Sequence, residues 1–132
     1  MFLSQLSEKE KNAFISLSVH ASNINGIFVE EEKVMIQEYC KEMGIPFFDA
    51  DNAISMDEVV KVFKNSENSI KKIVLLETLG LLYSDGEFDD SEKGFINDYA
   101  MKIGLSDEDI ERQTVAIKEY LEALKKVAEA IS

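Results

Sequence analysis

Apolar residues recur at helical spacing along nearly the whole chain, and no segment alternates as a strand would. Ser7-Glu8-Lys9-Glu10 reads as a capping box with Leu6 ahead of it as a hydrophobic staple. Behind it Phe14, Leu17, Ala21 and Ile24 share one helical face, which Ile15 and Val19 broaden. An end is predicted near Asn25-Gly26, with glycine in a left-handed turn. The next helix starts around Glu30, its acidic first turn suiting the helix dipole. Val34, Met35, Ile36, Tyr39, Cys40 and Met43 carry its apolar positions, and Gly44 ends it. Ile45-Pro46-Phe47-Phe48 is a linker whose two phenylalanines plug an edge of the core. A second capping box, Ser55-Met56-Asp57-Glu58, opens a short helix to about residue 64. The segment from about Ser69 to Ser84 is apolar nearly all round, which places it at the centre of a bundle. Gly80 within it is read as permitting a close helix crossing. Asp89 caps a further helix, with Glu92 three residues on, and Gly104 ends it. Ser106 caps the last segment, where Ile117, Tyr120, Leu121, Leu124, Val127, Ala128 and Ile131 make one clean stripe. The stripe weakens at Gln113-Thr114, so a break is expected there.

Residues 25–45 and 85–105 match each other at a constant offset of 60, without a gap. Gly26, Phe28, Glu32, Lys33, Ile36, Tyr39 and Gly44 recur as Gly86, Phe88, Glu92, Lys93, Ile96, Tyr99 and Gly104. Self-similarity at a fixed period is an architectural signal. The expected fold class is all-α: a compact bundle of six or seven helices with an internal duplication. It forms one domain over residues 1–132, with repeat halves at about 7–45 and 69–105. A linker helix covers 56–64 and a C-terminal helical segment 107–131.

A chain of 132 residues buries enough surface for a core without disulfides or structural metal. Twenty-six acidic against 14 basic residues give a formal charge of −12. That disfavours nucleic acid and anionic lipid, which need clustered Lys and Arg. It permits a cation or a basic protein partner, and it also serves solubility alone. Cys40 is the single cysteine, so no internal disulfide forms, which fits a reducing compartment. The first residues lack the basic and apolar regions of a signal peptide, and no apolar run approaches the length of a membrane span. A cytoplasmic protein without direct membrane insertion is expected.

The candidate chemistry lies in the second turn. Leu81 to Glu92 matches the latter half of an EF-hand loop: Asp85 at position 5, Gly86 at 6, Phe88 at 8, Asp89 at 9 and Glu92 at 12. Positions 1 and 3 are Leu81 and Tyr83, which offer no carboxylate. The first copy is poorer, with Asn25 at position 5 and Val29 at 9. Two readings stand. Asp85, Asp89 and Glu92, completed by backbone carbonyls and water, hold a divalent cation weakly. Alternatively Gly86 is a helix-end glycine, Asp89 an N-cap and Glu92 its capping-box partner. His20, the only histidine, has no patterned nucleophile beside it and is read as packing or capping rather than catalytic. Cys40 aligns with Ala100 and is read as a small core residue. Stripes of Met and aromatic residues at this spacing read as core.

The run Tyr83-Ser84-Asp85-Gly86-Glu87-Phe88-Asp89-Asp90-Ser91-Glu92-Lys93, with Ile96 and the closing Ile103-Gly104-Leu105, resembles the tellurite-resistance TerB-like family. Asn23–Ile45 looks like the matching N-terminal half, and the resemblance extends from about Ser7 to Ile110. It implies an all-helical, internally duplicated fold in a cytoplasmic bacterial protein tied to metal or oxyanion stress. Similar domains also serve as interaction modules. The family's acidic positions fall on Asp85, Glu87, Asp89 and Glu92. The first copy departs from the signature at Asn25 and Val29. The function expected is that of a non-enzymatic module that binds a divalent cation weakly or docks a protein partner. A purely interacting scaffold without metal is one alternative, and an enzyme of unknown reaction is another.

Overall fold

Six α-helices follow one another in the computed structural model, which describes residues 1–24, 29–46, 48, 50–84 and 88–132. They are α1 (Glu8–Ser22), α2 (Glu30–Met43), α3 (Met56–Lys64), α4 (Asn68–Tyr83), α5 (Asp90–Ile103) and α6 (Asp107–Ala130). Short 3-10 turns at Leu3–Gln5 and Ala50–Asn52 precede α1 and α3. No strand occurs among the described residues.

Local chemistry sets most of these bounds. The side chains of Ser7, Asp89 and Ser106 each accept the backbone N–H three residues on, and Glu10, Glu92 and Asp109 accept the N–H of their caps in return. Ser55 accepts from the Glu58 N–H and so caps α3. At α2 the N-cap is Val29, which has no acceptor, and only the return bond from its N–H to Glu32 remains, at 3.4 Å. Gly44 and Gly104 end α2 and α5 at φ of +74° and +91°, a conformation that disfavours any side chain. Gly26 and Gly86, read from the sequence as helix-ending glycines, lie outside the described residues; α1 and α4 give way at Asn23 and Ser84.

Helix α4 is central, as its all-round apolar pattern predicts. It packs against each of the other five helices, and its Val74, Leu75, Leu79, Leu81 and Leu82 are fully buried. Helix α3 is more than a linker, because Val59 and Phe63 bury it between α1 and α5. The segment leading into α3 is stitched to α1 at one residue. The Ile54 N–H donates to Ser16 Oγ at 3.1 Å, and His20 Nε2 meets the Ile54 carbonyl at 2.7 Å. Since a carbonyl only accepts, His20 carries its proton on Nε2 there. Phe48 packs against the core, while Phe47 lies outside the described residues.

Three points concern α6, the first of them a correction. Helix α6 has no break at Gln113-Thr114. The apolar stripe pauses there because Gln113 Nε2 donates to the Lys72 carbonyl on α4, 2.9 Å away, so a polar side chain makes the contact. Gly80 does face α6, but a Cβ there would sit 3.5 Å from Ile117 Cδ1, an ordinary contact. The crossing therefore does not require glycine. Finally, the α6 stripe is not uniformly buried. Ile117 is in the core and Leu121 is half-buried, whereas Leu124, Val127 and Ile131 are exposed. Ile24 and Val34 are likewise exposed at about half their surface or a little less.

Candidate functional site

Asp89 and Glu92 stand at the start of α5 and are held by each other's backbone. Asp89 Oδ1 accepts the Glu92 N–H at 2.9 Å and the Ser91 hydroxyl at 2.6 Å. Glu92 Oε1 accepts the Asp89 N–H at 3.1 Å. Asp89 is exposed and Glu92 is buried. Each of these bonds stabilises the carboxylate and offsets the dipole of α5. Asp85 and Glu87 lie outside the described residues, so the structure brings together two of the three residues read as metal ligands. Among the described residues no group of three or more His, Cys, Asp or Glu side chains is placed to hold a metal ion.

The opening positions of the loop register are helical. Positions 1 and 3 of the EF-hand register, Leu81 and Tyr83, belong to the last turn of α4. Leu81 is fully buried, and the Tyr83 ring stacks on Phe88 with centroids 4.3 Å apart. Lys118 Nζ lies 5.3 Å from the Tyr83 centroid, within range of a cation–π contact. The Leu81 carbonyl is taken up by the Ser84 hydroxyl at 2.6 Å. A cavity of about 220 Å³ beside the turn is lined by Tyr83, Phe88, Ile96 and Asn97 together with two cations, Lys93 and Lys118. Among the described residues the charged groups lining that cavity are both cationic.

Glu32 occupies the corresponding place on α2. It is buried like Glu92, at 4% and 5% exposure, and both reach back to the N–H of the residue that opens their helix. Both carboxylates make further contacts. Cys40 is buried, and burial pushes its thiol pKa up, which leaves it a poor nucleophile. With His20 engaged to Ile54, neither residue sits in a catalytic constellation.

Comparison with known proteins returns nothing. No family model matches the chain, and no curated protein or solved structure matches it.

The surface that the sequence did not single out is the outer part of α6. From residue 122 onward every residue is exposed, and Leu124, Val127 and Ile131 show 49%, 61% and 83% of their surface. Directly inward of it, along the same face, lies an apolar cavity of about 180 Å³ bounded by Met35, Leu76, Tyr120, Leu121 and Leu124. Its polar edge is Glu77, buried on α4, whose Oε1 is 2.7 Å from the Met1 ammonium. Glu42 holds the same ammonium at 3.1 Å and accepts the Leu3 N–H at 2.8 Å. The signal for this surface was present in the sequence as a stripe, but the stripe alone does not tell a covered face from an open one.

Proposed function

We propose that the chain is a non-enzymatic helical module of TerB-like type that works by docking a protein on the apolar face of α6. One observation carries this reading: a regular apolar stripe leaves the core at Leu121 and continues over Leu124, Val127 and Ile131, which are about half or more exposed among the described residues. Contiguous exposed apolar surface of this kind marks contact sites, because leaving it in water has a free-energy cost that a partner removes. The TerB-like reading, and the internal duplication it implies, is supported by the helix bounds. Asp90–Ile103 begins and ends 60 residues after Glu30–Met43 (90 − 30 and 103 − 43), and both helices end in a left-handed glycine. No helix among the described residues is long and apolar enough to cross a membrane, in keeping with the expected partner being a protein.

The test is a photo-crosslinking side chain placed in living cells at Val127, with Met101 as control, since Met101 is at least as exposed but sits on α5. Adducts to protein at position 127 and none at 101 are the expected result. Equal labelling at both, or none at either, removes the docking face.

The meeting of Asp89 and Glu92 at the start of α5 supports a second reading, a weak divalent cation at the acidic turns with Asp85, Asp89 and Glu92 as ligands. Under it, millimolar calcium shifts the amide resonances of residues 83–93, and Asp89→Ala costs more stability with calcium than without. If Asp89 is a cap only, the loss is about 1 kcal/mol in both conditions, and a flat titration eliminates the cation.

A further inference from the structure

Resting on the docking reading, we infer that the partner seated on α6 is a second copy of this chain, joined antiparallel through the outer half of α6 about a two-fold axis near Leu124. Three features of this face point to self-association rather than to another protein.

The first is self-complementary shape. A two-fold interface uses the same patch twice, so the patch must carry both a projection and the recess that receives it. Here the projection is Val127 and Ile131, and the recess is the cavity walled by Met35, Leu76, Tyr120 and Leu121. They lie on either side of Leu124 along one helix. Antiparallel pairing centred there sets Val127 of the second copy over Leu121 and its Ile131 at the mouth of the cavity, since Ile117 itself is buried against α4. The reciprocal contact follows by symmetry.

The second is spacing. Ile117, Leu121, Leu124, Ala128 and Ile131 recur at steps of four, three, four and three, the seam of a two-helix coiled coil. Tyr120 and Val127 flank the seam and widen it. Ile117 packs on α4 in the core, and from Leu124 outward the continuous helix presents this seam to solvent.

The third is charge. Two copies of a chain at −12 repel wherever their acidic surfaces meet. Residues 117–132 are the exception: Lys118, Lys125 and Lys126 balance Glu119, Glu122 and Glu129, so this segment is neutral and the whole formal charge lies elsewhere. A basic partner steered by the acidic body would find no attraction at this end. The second copy finds no repulsion. Three exposed apolar side chains per copy make a small interface, so the dimer is expected to be reversible.

The experiment is sedimentation equilibrium on the purified full chain from micromolar to submillimolar concentration, beside the variant Leu124→Glu/Val127→Glu. Both sites are exposed, so the variant should keep its helicity by circular dichroism. The chain should sediment as a concentration-dependent mixture of monomer and dimer, and the variant should lose at least about a hundredfold in self-affinity. A second measurement is independent of the variant's folding. Cys40 is buried, so an added cysteine is the one accessible thiol. Leu124→Cys should give a crosslinked dimer rapidly with a short bis-maleimide, and Met101→Cys should not. A chain monomeric at every concentration overturns the proposal, as does a dimer that persists in the double-glutamate variant or crosslinks equally through Met101→Cys. Failure of this proposal is distinguishable from failure of the docking reading. A monomer whose position 127 still crosslinks to a different protein in cells keeps the face and loses the second copy; no adduct at all loses both.

Discussion

Acetylating the Met1 α-amino group is expected to lower the stability of the fold by about 2–3 kcal/mol. The reason is Glu77. Its side chain is 5% exposed, and its Oε1 lies 2.7 Å from the ammonium. Removing one member of a buried ion pair strands the other charge in a poor solvent, which is costlier than never having had the pair. The figure is placed below that of a fully buried pair because Met1 is 44% exposed and partly screened by water. The same contact sets a pH dependence. Burial by itself would lower the pKa of the amine, but the hydrogen bonds and charges of Glu77 and then Glu42 outweigh it and raise the value above the ordinary 8.0. A group with a higher pKa in the folded chain than in the unfolded chain binds protons more tightly when folded. Its contribution is therefore fully present below pH 8 and is lost as the pH rises through the folded value. Urea denaturation below pH 8 and well above it, on free and acetylated chains, checks both statements. The free chain should lose stability across that interval, and the acetylated chain should lack this part of the loss. In a Glu77→Gln background acetylation should have a smaller effect, the remainder coming from Glu42, and the difference isolates the Glu77 pair as in a double-mutant cycle. Equal midpoints for free and acetylated wild type would show that the ammonium does not hold Glu77.

Substituting Tyr39 by phenylalanine is expected to lower stability, and the same change at Tyr99 is not. Tyr39 and Tyr99 are 60 residues apart, both buried, and burial pushes both phenol pKa values strongly upward. Neither ionises in any ordinary buffer, so the question is one of hydrogen bonding. The Tyr39 hydroxyl donates to the Glu77 carbonyl at 3.0 Å, and its ring meets Phe14 edge-on with centroids 5.1 Å apart. The Tyr99 hydroxyl is buried and finds no partner among the described residues. Tyr39→Phe should cost about 1 kcal/mol, the net value of one such bond. Tyr99→Phe removes a hydroxyl that lost its water on folding and gained nothing for it, so it should be neutral or stabilise by up to about 1 kcal/mol. Chemical denaturation of the two single variants decides the matter. Equal losses would mean that the Tyr99 hydroxyl has a partner after all.

The tyrosine pair also shows how far a residue pattern reaches. Both positions read alike in the sequence: the same residue type, the same place on an amphipathic helix, the same distance from the helix-ending glycine. What differs is a carbonyl on α4 that meets one of them and not the other. Likewise the acids at Glu32 and Glu92 were legible as helix-start residues, but the pocket of two lysines beside the second turn was not. Lys93 and Lys118 come from α5 and α6 and meet only in three dimensions.

Helix starts and stops were written in the chain itself. Ser7, Asp89 and Ser106 cap their helices through groups three residues away, and Gly44 and Gly104 end theirs by a backbone freedom that belongs to the residue alone. The central place of α4 was equally local, since a helix apolar on all sides has no face to give to water. Which apolar stripe is covered was not local. Leu82 and Leu124 both sit at helical spacing among apolar neighbours, yet one is fully buried and the other half exposed. Burial depends on what packs against a side chain, and that is set by helices distant in sequence. α4 is surrounded on every side, whereas α6 outlasts the body it packs on by more than two turns, and only the tertiary structure decides where that cover ends.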